Sequence, residues 1–126
     1  MAIEKRKYER ISPRGNAFAA LGSQYTKVGR IKDISLGGLA FDYISAVDTD
    51  RDFSHINIFL IGDVFHLYNL PCEVVYDIAY PAELENIESV KVSSIQRCGV
   101  QFGALTEDEM DQMKLFLKFQ IRDSSP

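Results

Sequence analysis

The chain has 126 residues, of which 46% are hydrophobic and 25% charged, and its formal net charge is −4. This length suits one domain with a real core, and the composition excludes wholesale disorder, collagen and coiled coil. An acidic chain also argues against a general nucleic-acid binder. The charge is uneven, however: residues 1–32 hold eight basic and two acidic side chains, a net charge of +6, whereas residues 33–126 carry −10.

The chain begins with a predicted flexible basic arm over residues 1–15, which ends in the turn signal Ser12-Pro13-Arg14-Gly15. Short segments rich in β-branched and aromatic residues follow, separated by glycines, prolines and polar stretches, and this pattern is typical of a barrel or sandwich. Pro71, between two of these segments, implies a sheet edge or a bulge. The predicted strands cover residues 16–21, 25–34, 39–44, 56–61, 64–69, 72–79, 90–97 and 99–102.

The sequence period changes near the C-terminus, which predicts a helix over residues 106–121. Thr106 and Glu109 form a T-x-x-E capping box at its start. Met110, Met113, Phe116 and Leu117 then recur at spacings of three and four, as on one face of a helix. We expect this face to pack against a β-structured body of residues 16–104, so that residues 1–126 form a single domain.

Several classes of function find no support in the sequence. No apolar run approaches the ~18 residues of a membrane span, and the N-terminus lacks the apolar segment of a secretion signal. His55 and His66 lie in no metal-binding spacing, and no nucleophile or phosphate-loop motif occurs. We therefore expect a cytoplasmic protein that is not an enzyme, with no metal, no cofactor and no membrane insertion.

The two cysteines, Cys72 and Cys98, lie far apart in the sequence, and neither has the close partner of a zinc or redox motif. Because a free cysteine behaves as a small apolar side chain, we expect both to be buried free thiols in a reducing compartment. A disulfide between them is the alternative.

The first motif that carries chemistry is Arg6-x-x-x-Arg10 in the basic arm. Guanidinium is always charged and presents a planar fork of donors. Such a fork can bind phosphate oxygens or the edge of a guanine through two hydrogen bonds, and it can stack on a base. Two forks on one arm predict a site for a compact anion.

The second motif is Asp33-x-Ser35-x-x-Gly38 at the end of a predicted strand. On an extended strand Asp33 and Ser35 share a face, where a carboxylate can accept the N–H donors of guanine and a hydroxyl can bind phosphate or base. Gly37 and Gly38 permit positive φ and close backbone approach to a ligand. Because Ile31 has the same parity as Asp33, we expect a β-bulge between them.

In this order the two motifs resemble the PilZ domain, the bacterial receptor module for cyclic di-GMP. The segment Arg97–Phe102, followed by a capped helix, resembles the last strand and C-terminal helix of that family, so the resemblance covers roughly residues 4–120. It implies an all-β fold: a small six- to seven-stranded antiparallel β-barrel with a C-terminal helix and a flexible basic arm.

The resemblance also implies roles for the motif residues. Arg6 and Arg10 would contact guanine and phosphate, and Asp33 and Ser35 would contact a guanine and nearby polar atoms. The turn at Gly37 and Gly38 would allow close approach. Lys5 departs from the many members that have an arginine there, and with Lys7 and Arg30 it is a secondary, electrostatic candidate.

The expected function is therefore a receptor in which cyclic di-GMP orders the arm over the barrel. An unidentified downstream protein would bind the new surface, and the chain would be a monomer or homodimer that binds no DNA or RNA. One alternative is a PilZ-fold interaction module that binds no nucleotide. Another is a barrel that binds single-stranded RNA, which the acidic body disfavours.

Overall fold

A computed structural model of the chain describes residues 9–22, 27–44, 53–62, 65–79 and 95–123, with the backbone alone for residues 121–123. The described residues form a closed β-barrel of six antiparallel strands, in the order β1-β2-β3-β6-β5-β4, followed by one helix. The elements are β1 (Ala17–Leu21), β2 (Lys27–Ile34), β3 (Gly38–Ile44), β4 (His55–Leu60), β5 (His66–Ala79), β6 (Ile95–Phe102) and α1 (Glu107–Asp123). This confirms the predicted fold class.

Two of the predicted breaks between strands are wrong. The segments on either side of Pro71 form the single strand β5, and those on either side of Cys98 form β6. Pro71 is tolerated because it follows a bulge at which Asn69 has a φ of 53°, and because its carbonyl accepts the Gly103 N–H at 2.7 Å. Gly99 does not end β6, because the Tyr76 ring lies against it and fills the space that its missing side chain leaves.

The helix α1 covers one end of the barrel. Met113 and Phe116 are fully buried in the core cluster, and the Phe116 ring stacks on Phe65 with centroids 5.0 Å apart. The predicted capping box is confirmed, since the Thr106 N–H donates to Glu109 Oε1 at 2.9 Å and the Glu109 N–H donates to Thr106 Oγ1 at 3.0 Å. The apolar stripe of the helix is therefore a packing face.

The opposite end of the barrel holds a polar cluster. Asp77 accepts hydrogen bonds from the Tyr43 hydroxyl at 2.8 Å, from Gln96 Nε2 at 3.0 Å and from Lys27 Nζ at 3.0 Å. Burial by itself lowers the pKa of Lys27, but the hydrogen bonds to Asp77 and Tyr43 outweigh it and raise the pKa overall. Burial, followed by the bond to Asp77, raises the pKa of Tyr43 to about 12. This end thus contains a carboxylate with three donors.

Both cysteines are free and buried, as predicted. Burial, with a smaller contribution from the Asp77 charge, raises the pKa of Cys98 to about 12. At neutral pH this thiol is protonated and inert.

Position 38 requires glycine because β3 and β6 approach each other closely there. A Cβ built at this position would lie 2.2 Å from the carbonyl oxygen of Val100 on β6. Gly38→Ala should therefore push β3 from β6 and lower the free energy of unfolding by ~1–3 kcal/mol in urea titrations. Gly15→Ala is the matched control, since nothing lies within 4 Å of its Cβ position. Equal stability of the two variants would contradict this account.

An outer aromatic row, made of Phe18, Phe59, His66 and Tyr68, crosses three neighbouring strands. The His66 ring stacks on Tyr68 with centroids 3.7 Å apart, and burial lowers its pKa. Its neutral form is thus favoured in the fold, and the resulting stability is lost as the pH falls below the ordinary histidine pKa.

We therefore expect the free energy of unfolding to fall less steeply between about pH 8 and about pH 5.5 in His66→Phe than in the unmodified chain. The measurement is a urea titration at each pH. An unchanged slope in His66→Phe would contradict the assignment.

Candidate functional site

The second half of the predicted arm is tied to the barrel beside β2. Ile11 pairs with Ile34 in an isolated antiparallel bridge, with N–H to O distances of 3.0 and 2.9 Å. Further along, the Arg14 N–H donates to the Oε1 of buried Gln120 on α1 at 2.7 Å. Residues 9–15 are therefore placed between the barrel and the helix, whereas Lys5, Arg6 and Lys7 lie outside the described residues.

The bridge brings the two motifs together. Since Ile11 lies opposite Ile34, the preceding Arg10 reaches the outer face of β2 and its Nη1 forms an ion pair with Asp33 Oδ1. The side chains are 29% and 34% exposed. Partly exposed pairs of this kind contribute at most about 1 kcal/mol to stability. The main consequence of the contact is that it holds a guanidinium and a carboxylate together at the surface.

A β-bulge turns Asp33 outward. Ile31 pairs with Phe41 and Asp33 with Ala40, so Lys32 is the extra residue on β2. The bulge lets Ile31 and Ile34 both face the core while Asp33 faces solvent. Without it, Asp33 would have the same parity as Ile31 and would point into the barrel. The bulge predicted between Ile31 and Asp33 is confirmed.

Ser35 lies in the turn after β2 rather than on the strand. Its N–H donates to the Gly38 carbonyl at 2.8 Å, and its Oγ accepts the Gly37 N–H at 3.0 Å. The residue is only 5% exposed. The extended geometry that would have placed Ser35 beside Asp33 ends at Ile34. In this structure the hydroxyl therefore closes the turn.

The glycines of this turn are joined to β6. Among the described residues, positive φ occurs only at Gly22, Gly62 and Asn69, so Gly37 and Gly38 do not adopt the positive φ that glycine permits. The close approach at Gly38 is to the Val100 carbonyl of β6, not to open surface. Gly37 contributes its carbonyl, which accepts the Phe102 N–H at 2.9 Å. Both glycines join the turn to β6.

Arg30 is exposed on β2, directly opposite Asp42 of β3. Asp42 in turn accepts two hydrogen bonds from Arg97, one from Nε at 2.7 Å and one from Nη2 at 3.1 Å. Arg30 thus lies on the same outer face as Asp33, three residues away along the strand. With Arg10 and the exposed Lys32, it adds positive charge around the Asp33 carboxylate.

Strand pairing aligns Tyr76, which no sequence motif marks, with Asp33. Strand pairing aligns Asp33 with Ala40, Ala40 with Gly99 and Gly99 with Tyr76, so these residues form one row across four strands. At ~4.8 Å between strands, Asp33 and Tyr76 are attached about 14 Å apart, with two of the smallest side chains between them. Tyr76 is 37% exposed, and its ring lies on Gly99. A third bulge, between Val74 and Tyr76, sets this register, and no local pattern indicates it.

The described part of the chain contains no group of three or more His, Cys, Asp or Glu side chains placed to hold a metal ion. None of its helices is both long and apolar enough to cross a membrane.

Comparison with solved structures finds the same barrel elsewhere. The chain resembles the PilZ domain of YcgR from Escherichia coli, solved with cyclic di-GMP, at a TM-score of 0.71 and 16% identity, covering 96% of this chain and 95% of that one. It also resembles the MrkH–cyclic di-GMP complex of K. pneumonia, at a TM-score of 0.68 and 16% identity, covering 97% and 55%. A longer YcgR structure from E. coli matches at a TM-score of 0.67 and 16% identity, and the match covers 97% of this chain and 48% of that one.

This chain thus spans about half the length of the longer YcgR and MrkH structures. At such identities the likeness concerns the fold alone. No curated protein sequence matches the chain. The model of the PilZ domain family, however, matches residues 4–119, nearly the whole sequence. On this match and the shared barrel, the chain belongs to the PilZ domain family.

Proposed function

We propose that this PilZ domain is a receptor that binds cyclic di-GMP at the outer surface around Arg10 and Asp33. One observation carries the proposal. Arg10 and Asp33, which are 23 positions apart in sequence, form an ion pair because the backbone bridge between Ile11 and Ile34 brings them together. The likeness to the YcgR domain and to MrkH, both solved with cyclic di-GMP, supports the same ligand class.

The chemistry of the ligand fits this surface. Cyclic di-GMP carries two phosphates and two guanines, and guanine offers paired N–H donors that a carboxylate accepts. Asp33 uses Oδ1 for Arg10, and no other described residue donates to its Oδ2. A guanine can thus approach Asp33 on its outer side, while the Arg10 fork turns to a phosphate or to the O6/N7 edge of the base.

Arg6 would supply the second fork. It stands four residues before Arg10, so its Cα lies at most about 14 Å from that of Arg10, whatever the conformation between them. Binding would order this part of the arm over the ligand, at a cost in net affinity. The ordered arm would then present a surface to a downstream protein, and no catalytic step is involved.

Calorimetric titration with cyclic di-GMP tests the site. Losing one bidentate contact costs ~1–3 kcal/mol, so Arg10→Ala should weaken binding about tenfold or more, and Arg6→Ala/Arg10→Ala should weaken it further. Asp33→Ala should also weaken it, with little effect on stability. Lys114→Ala removes one positive charge from the exposed face of α1 and should bind as the unmodified chain does.

Two outcomes would count against the proposal in different ways. If Arg6→Ala/Arg10→Ala binds with unchanged affinity, cyclic di-GMP binds elsewhere on the chain. If the unmodified chain shows neither heat nor amide shifts in the arm, the chain is a PilZ-fold interaction module without a nucleotide ligand.

We further propose that Tyr76 forms one side of the base site, since its ring lies over Gly99 in the row of residues that runs from Asp33 through Ala40. Stacking of a base on an aromatic ring contributes ~1–3 kcal/mol, so Tyr76→Ala should weaken cyclic di-GMP binding about tenfold, whereas Tyr76→Phe should retain it. Tyr68→Ala is the matched control, because Tyr68 is an exposed tyrosine on the same strand but outside this row. Equal affinities of Tyr76→Ala and Tyr68→Ala would remove Tyr76 from the site.

A further inference from the structure

One polar side chain interrupts the apolar face that α1 packs against the barrel. Met113, Phe116 and Gln120 are buried and recur at spacings of three and four, so Gln120 stands where an apolar residue would ordinarily lie. It is only 3% exposed. Burying an amide costs free energy unless the amide is hydrogen-bonded. The partner that Gln120 binds is therefore the feature to explain, and it is the backbone N–H of Arg14, 2.7 Å from Oε1.

The other buried polar side chains of the described residues also bind the backbone. There are two of them, Ser35 and Asn57. Ser35 Oγ accepts the Gly37 N–H in the turn after β2. Asn57 Oδ1 accepts the Asn69 N–H at 3.2 Å, at the bulge where β5 has a positive φ. Each of these oxygens thus fixes the backbone at a point where regular strand pairing is interrupted, and Gln120 does the same for the arm.

The part of the arm that Gln120 holds is short and stiff. Ile11 is bound to β2 by two backbone hydrogen bonds, and Arg14, three residues later, is bound to α1. Pro13 lies between them, and its ring fixes its own φ and restricts the preceding residue to extended conformations. Because a stiff connection makes each attachment depend on the other, Ile11 and Arg14 should dock and detach together. Arg10 directly precedes Ile11 and moves with it.

We propose that Gln120 is a positioning residue for the arm. By holding the Arg14 backbone against α1, it keeps the arm docked with Arg10 beside Asp33. The consequence for the ligand rests on the proposed function. Where only the docked arm is competent to bind, the apparent dissociation constant rises as the docked fraction falls. In this way α1 supports the site through the backbone of the arm.

Amide hydrogen exchange of the chain without ligand, followed by nuclear magnetic resonance, tests the docking. Gln120→Met keeps a long, helix-favouring side chain but removes the acceptor. One hydrogen bond is worth about fivefold in an equilibrium, so the Arg14 and Ile11 amides should both exchange about fivefold faster. Gln112→Met is the matched control, because it makes the same change at a glutamine that donates to Asp108 within the helix at 2.9 Å.

The Ile11 amide decides the outcome, because in Gln120→Met it keeps its own acceptor, the Ile34 carbonyl. Faster exchange at Arg14 alone would make the bond a local contact and overturn the proposal. The amides of β3 and β6 report global unfolding. If they were accelerated as much as Ile11, Gln120 would act on overall stability, which would also overturn the proposal.

Calorimetric titration with cyclic di-GMP tests the effect on the site. Gln120→Met should raise the dissociation constant about two- to fivefold, and Gln112→Met should leave it unchanged. In an Arg10→Ala background the effect of Gln120→Met should be smaller, because the guanidinium that it positions is absent. An unchanged constant in Gln120→Met, or an equal effect in both backgrounds, would overturn action through Arg10. If the unmodified chain bound no cyclic di-GMP, the proposed function would fail, whereas the exchange rates would still decide whether Gln120 holds the arm.

Discussion

The extra residue at Lys32 is the constraint on which the site depends. A strand that lines a closed barrel must alternate between core and surface, and β2 could not bury both Ile31 and Ile34 while exposing both Arg30 and Asp33 without a change of register. The bulge provides that change. It leaves the core closed and still presents a carboxylate at the surface, where Arg10 reaches it. If Lys32 were deleted, the β2 residues on one side of the deletion would exchange faces, so that core side chains would point to solvent and surface side chains would point into the core.

The motif residues form two groups, those that present a charged group at the surface and those that hold the backbone in place. Arg10 and Asp33 present partly exposed charged groups, whereas Ser35, Gly37 and Gly38 hold the turn and join it to β6. Both kinds would matter in the proposed site, because a carboxylate can recognise a base only if the strand that carries it is held in position. A sequence motif can thus include residues that support the backbone.

The two ends of the barrel differ in character. At the end nearest the site, α1 covers the core, and Arg14 and Gln120 link the arm to the helix. At the other end, Asp77 gathers donors from Lys27, Tyr43 and Gln96. The site, the arm and the helix are therefore neighbours, so the short segment after Arg10 connects the proposed ligand surface to α1.

The sequence alone determined the elements whose signals are local. The capping box and the spacing of Met113 and Phe116 predicted α1, because a helix is stabilised by contacts three and four residues apart. The parity conflict between Ile31 and Asp33 predicted the bulge, and the two motifs predicted the family. Tertiary structure decided what depends on partners distant in the chain. It joined strands across Pro71 and through Gly99, turned Gly38 toward Val100, and aligned Tyr76 with Asp33. Such pairings follow from barrel closure and register, which no local segment of the sequence encodes.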